Sequence, residues 1–138
     1  MKRVLFCALF IPSIALSQIT VTEKPVTIID VGPLAWSQTI YRNVDGQDTT
    51  YSFYFRNTIY REIIDMKHFS LSKSEIKEFG KALEKTLQSD MKAQIWYNHI
   101  GLSRTKGLGS FVEIYYDNGI GEIKEKNVRK LIAAIDKQ

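Results

Sequence analysis

The side chains with the widest chemical range are His68 and His99, the only two imidazoles in the chain. Two histidines cannot supply a three-histidine metal site within one subunit. Glu62 and Asp65 stand just before His68. On a strand Glu62 and His68 share a face and Asp65 points away, whereas a helix would bring Asp65 and His68 together at a three-residue step. The chemistry open to that spacing is carboxylate–histidine binding of a cation; a solvated, locally hydrogen-bonded histidine is the plainer alternative.

His99 closes the run Trp96-Tyr97-Asn98-His99. In a cleft an uncharged imidazole can act as a general base, and Ser103 and Ser110 are the hydroxyl groups within sequence reach. Neither serine sits in a nucleophile-elbow context. Glu113 is the one acid well inside an expected strand, and no partner presents itself for paired-carboxylate chemistry. Lys106-Gly107-Leu108-Gly109 has glycines and a lysine but lacks the spacing of a phosphate loop. Zinc, dinucleotide and calcium signatures are absent from the sequence, so no cofactor and no metal are expected.

Charge narrows the classes further. The formal net charge of +4 comes from 19 basic and 15 acidic residues, too small an excess to predict a nucleic-acid partner. Lys73, Lys77, Lys81 and Lys85 recur every four residues but drift around a helix and are interrupted by Glu78 and Glu84, which fits a solvated face. Lys124, Lys126, Arg129, Lys130 and Lys137 make the C-terminal segment the more basic surface. Anionic headgroups or acidic envelope polymers are conceivable contacts there, yet the segment lacks the aromatic anchors of a membrane-surface helix.

Lys2 and Arg3 precede a nearly continuous apolar run from Val4 to Leu16, and Ala15-Leu16-Ser17 offers small residues for cleavage. The run is shorter than the ~20 residues that span a bilayer. Residues 1–17 are therefore expected to be a signal peptide, and the protein is expected to be exported: periplasmic or secreted, from a bacterium. No transmembrane segment is expected in the mature chain. The single cysteine, Cys7, falls inside the signal, so the mature chain is expected to be cysteine-free and to hold together without disulfides.

The elements that would position these groups are α and β in alternation. Residues 18–33 read as an extended arm or edge strand, with Pro25 arguing against a central place in a sheet. Residues 34–138 read as one α+β domain. Trp36, Ile40 and Tyr41 mark a half-exposed strand, and Asp45-Gly46 marks a turn. Tyr51, Phe53 and Phe55 alternate on one face of the next strand. Ile59 to Met66 is read as a strand, although its apolar spacing also suits a helix. The clearest helix is Leu71 to about Ser89. Ser72 and Glu75 form a capping box, Leu71 and Ile76 a hydrophobic staple, and Ile76, Phe79, Leu83 and Leu87 one apolar stripe. Gly80 beside that stripe suggests close packing against a sheet.

Ala93 to Leu102 reads as a strand with bulky residues on both faces, Arg104 to Gly109 as a flexible link, and Ser110 to Tyr116 as a further strand. Asn118-Gly119 is the strongest hairpin signal. Val128, Leu131, Ile132 and Ile135 form the stripe of a last helix. The halves 34–90 and 91–138 can be aligned as two copies of a βββα unit. The expected fold is a two-layer α+β domain, an antiparallel sheet with two helices packed on one face.

Helices on one face leave the other open. Trp36, Trp96, Tyr97, His99, Arg104 and Tyr115 are the candidate binding residues, with no catalytic residue assigned. The expected role is a noncatalytic binding or interaction module whose partner is a protein or an envelope ligand. A small hydrolase centred on His99 or His68, and an accessory subunit of an envelope assembly, are the alternatives.

Overall fold

Ser72 ends one strand and begins one helix, and its surroundings show how local chemistry sets the frame. In the computed structural model, which describes residues 23–33, 37–60 and 62–138, the Ser72 hydroxyl accepts from the Glu75 amide at 3.3 Å. The Glu75 carboxylate accepts from the Ser72 amide at 2.7 Å. Each of these amides would otherwise lack a partner at the helix start. The backbone hydrogen bond from Ser72 is also the main reason the Glu75 carboxyl ionises below the ordinary glutamate range.

The element order is β1 (Val26–Val31), β2 (Gln38–Asp45), β3 (Asp48–Arg56), β4 (Met66–Ser72), α1 (Lys73–Gln88), β5 (Gln94–Tyr97), β6 (Ile100–Gly107), β7 (Gly109–Tyr116), β8 (Gly119–Lys124) and α2 (Glu125–Ile135). The architecture is α+β. The strands form two antiparallel four-stranded sheets, β1-β2-β3-β4 and β5-β6-β7-β8, with the two helices packed against them. Each half thus runs ββββα, one strand more than the aligned βββα unit.

Three local expectations change. The segment read as one strand from Ala93 to Leu102 is a tight hairpin, because Asn98 adopts φ 52° and reverses the chain between Tyr97 and Ile100. The segment read as a flexible link is also a hairpin: β6 continues to Gly107, Leu108 alone turns the chain, and Gly109 at φ 151° starts β7. Asp117 and Asn118, at φ 48° and 55°, form the two-residue turn into β8. Positive φ at both positions is the signature of a type I′ turn, placed one residue before the Asn118-Gly119 signal.

One core joins both halves. Ile40, Phe53, Phe55, Phe69 and Phe79 pack with Leu102, Val112, Ile114, Ile123 and Leu131, all buried. Tyr51, Phe53 and Phe55 do point inward together, as their alternation requires. Gly80 has a different neighbour from the one expected. A Cβ there would lie 3.0 Å from Ile135 Cγ2, so the missing side chain lets α1 approach α2 rather than a sheet.

The seam between the sheets runs along β8. A Cβ on Gly121 would sit 2.4 Å from Phe55 Cδ2, so the Phe55 ring occupies the space a side chain would need. Gln38 Nε2 donates to the Glu122 carbonyl at 3.2 Å, and the Thr58 amide donates to the Ile120 carbonyl at 2.7 Å. These bonds satisfy edge groups of β8 that would otherwise need water or another strand.

The expectation of a cysteine-free mature chain is corrected: the protein contains one cysteine, Cys7. Its exclusion from the thiol inventory depended on removal of residues 1–17, and the signal-peptide expectation lies outside the described residues. Among the described residues no helix is long and apolar enough to cross a membrane.

Candidate functional site

Alternation along β5 decides where its aromatic residues go. Ile95 and Tyr97 face the core, and Trp96 faces outward. Directly across from Trp96 is Gly101, and across from Gly101 is Tyr115. A Cβ on Gly101 would come within 3.0 Å of Trp96 Cη2 and 3.2 Å of Tyr115 Cβ. The indole therefore lies over the glycine backbone, seated beside the tyrosine, and remains 60% exposed.

A shallow depression of about 400 Å³ opens next to it, lined by Trp96, His99, Tyr115, Tyr116, Ile120 and Ile59 among others. Ile59 brings in the segment between β3 and β4. That segment is not the expected strand. Ile59, Tyr60, Ile63 and Ile64 are all exposed, Ile64 to 72%, so its apolar residues neither pair in a sheet nor enter the core.

Asn57 supplies the reason. Its side chain is almost fully buried; Nδ2 donates to Asp65 Oδ2 at 2.8 Å, while Oδ1 accepts from the amides of Ile59 at 3.2 Å and Ile120 at 3.1 Å. The Asn57 amide also donates to the Asp65 carbonyl at 2.7 Å. One asparagine thus closes the loop base and ties it to β8. Ion pairing of Lys67 with Asp117 at 3.6 Å adds a contact at the rim, worth little in solvent.

Below Tyr115, the Glu113 carboxylate accepts from the Tyr115 hydroxyl and from Ser103 Oγ, the latter at 3.3 Å. Burial, then the bond to Glu113, holds the Tyr115 phenol above the ordinary tyrosine range, with Ser103 acting in the opposite sense. This is a cross-strand arrangement that fixes the ring's direction.

The other candidates lie elsewhere. Tyr97 sits on the inner face near Phe79, with ring centroids 6.3 Å apart. Burial, followed by the charges of Glu75 and Glu78, raises its pKa. Arg104 is engaged with Glu125 at the start of α2. Trp36 lies outside the described residues. Of the six candidates, the fold brings together Trp96, His99 and Tyr115.

The histidine chemistry can be tested by geometry. His99 occupies the β5–β6 turn, its ring 5.2 Å from that of Tyr116. Ser110 is six steps from Tyr116 along β7, about 20 Å at the strand rise, and Ser103 is committed to Glu113. His68 stacks on Tyr54 at 4.9 Å, with Tyr41 edge-on to Tyr54 at 5.5 Å, on the outer face of the first sheet. Among the described residues neither imidazole makes a hydrogen bond or ion pair, and no group of three His, Cys, Asp or Glu side chains could hold a metal ion.

Ile59, Tyr60, Ile63 and Ile64 are absent from the sequence-based candidates because the segment reads as a strand, with a spacing that also suits a helix. The signal that could have found them is Asn57-Thr58 before and Asp65 after, polar residues suited to closing a loop. No protein-family model matches this chain, and no curated protein shows significant sequence similarity to it.

Proposed function

We propose that the protein is a noncatalytic interaction module that docks a protein partner on the surface formed by Trp96, Tyr115, Ile59 and the exposed residues of the β3–β4 loop. The observation that carries this reading is that Ile59, from the β3–β4 loop, and Trp96, from β5, line one depression, with Tyr60, Ile63 and Ile64 of the same loop exposed. Scattered exposed apolar residues need no explanation, but Ile59, Trp96, Tyr115, Tyr116 and Ile120 around one depression have the composition of an interface core. Asp117 lines the depression and pairs with Lys67 at its rim, a mixed charge that favours a protein surface over anionic lipid. The basic start and apolar run before Gln18 extend the proposal to an exported protein of the bacterial envelope or exterior.

The test is site-specific photocrosslinking of the full chain in cells that express it. A photoreactive residue in place of Ile63 should give a discrete adduct that Trp96→Ala removes, while one in place of Lys77, exposed on α1, should not. Identical adducts from both positions, or adducts indifferent to Trp96→Ala, would reject this surface.

A further inference from the structure

A separate cavity of about 500 Å³ lies at the start of α2, bordered by Pro33, Phe111, Lys124, Lys126, Asn127 and Lys130. Its volume is that of a small-molecule site. Three lysines border it with one carboxylate, Glu122, and none of the three is ion-paired among the described residues. Lys124 is the N-cap of α2 and provides no side-chain cap, so the positive end of an 11-residue helix is left without its usual oxygen partner.

The second observation is Asn127. It is nine-tenths buried, lines the cavity, and its side-chain amide has no hydrogen-bond partner among the described residues. The amide still reaches solvent through the cavity, so it can donate to an acceptor oxygen of a ligand there. The acid in the first turn, Glu125, is turned to Arg104 and so does not fill the role.

We infer that this cavity binds a small organic anion, a phosphomonoester or a ligand of like charge and shape. Its charged group meets the α2 amides, the Asn127 amide and the lysines, and its apolar body lies against Phe111 and Pro33. The basic character of the C-terminal helix then serves a cavity rather than a membrane plane. This inference concerns a different part of the molecule from the proposed protein interface and stands independently of it.

Phenyl phosphate is the probe, with inorganic phosphate and phenol as controls, followed by amide chemical shifts of the full chain. Saturable shifts should localise to residues 125–127 and Phe111 with phenyl phosphate, be weaker with inorganic phosphate and be absent with phenol. Asn127→Asp should weaken binding by about tenfold or more by placing a negative charge at the anion's contact. An acid in the first helical turn suits α2, so the lost binding will not reflect a lost fold; Lys126→Gln combined with Lys130→Gln should weaken binding in the same direction. Absence of saturable shifts, equal binding of phenol or of inorganic phosphate, or unchanged affinity in Asn127→Asp would overturn the inference.

Discussion

Substituting Gly121 by alanine is a one-methyl perturbation at the place where the two sheets meet. The new Cβ would stand 2.4 Å from Phe55 Cδ2 and 3.1 Å from both Cε2 and Cγ. Carbon atoms are best placed at about 3.5–4.0 Å, so the ring must retreat by about 1 Å. It has little room: Phe55 is fully buried, with the rings of Phe53 and Phe69 at 6.2 and 6.4 Å. Gly121 is not among the glycines with positive φ, so the penalty is steric and not conformational. Overpacking of this kind costs about 1–3 kcal/mol. With a urea dependence of about 1–3 kcal/mol per molar for a small protein, a mid-range loss of about 2 kcal/mol moves the unfolding midpoint down by about 1 M. Gly107→Ala is the comparator, since no atom lies within 4 Å of the added methyl; it should change stability by less than about 0.5 kcal/mol. Phe55→Leu in the Gly121→Ala background should recover part of the loss in a double-mutant cycle. A Gly121→Ala protein as stable as wild type, or a cycle with no coupling to Phe55, would refute the packing argument.

Asn57→Ala should cost about 1–3 kcal/mol, because it removes the acceptor for the Ile120 amide and the donor to the Asp65 carboxylate from a buried position; amide hydrogen exchange across residues 59–65 should accelerate more than in α1. Ser72→Ala should cost about 1 kcal/mol through loss of the cap, read by urea denaturation. Because the folded-state pKa of Glu75 is lowered, its stabilisation is full above the unfolded glutamate pKa and is lost as pH falls through the folded value. Glu75→Gln, which removes the titrating carboxyl, should therefore flatten the acid limb of a stability–pH curve, whereas Ser72→Ala keeps the backbone amide that is the main cause of the shift. Tyr115 has the opposite sign: its raised pKa keeps the phenol neutral above the ordinary tyrosine range, so its contribution is lost as pH rises through the folded value. Ultraviolet titration of wild type against Tyr115→Phe should show the missing phenol at the alkaline end, and a missing phenol of ordinary pKa would contradict the Glu113 contact.

What could be read from sequence was whatever depends on neighbours a few residues apart. The Ser72–Glu75 cap and the inward alternation of Tyr51, Phe53 and Phe55 are local, and both stand as expected. The α+β class followed from amphipathic helices and strands that each needed a covered face. The strand count of the second half did not follow, because Asn98 and Leu108 reverse the chain in turns too short for composition to mark. Trp96 and Tyr97 were grouped as one aromatic run, yet adjacent strand residues point to opposite faces, and only the choice of inner face sends Tyr97 toward α1. The β3–β4 loop was hidden for a different reason. Its isoleucines resemble buried strand residues, and the decisive fact, Asn57 bonded to Ile120, joins positions 63 residues apart. The cavity at α2 is likewise assembled from Pro33, Phe111 and lysines that no spacing rule connects.

The placement of α2 bears on how the chain reaches its native state during synthesis. The last helix packs against β1, the first strand, and its Ile135 fits the notch at Gly80. A nascent chain that ends before residue 125 can form hairpins and the capped helix, but it leaves β1 and the α2-facing side of α1 uncovered. Completion must then wait for α2, so a ribosome-tethered protein would resist protease only after residue 135 has cleared the exit tunnel.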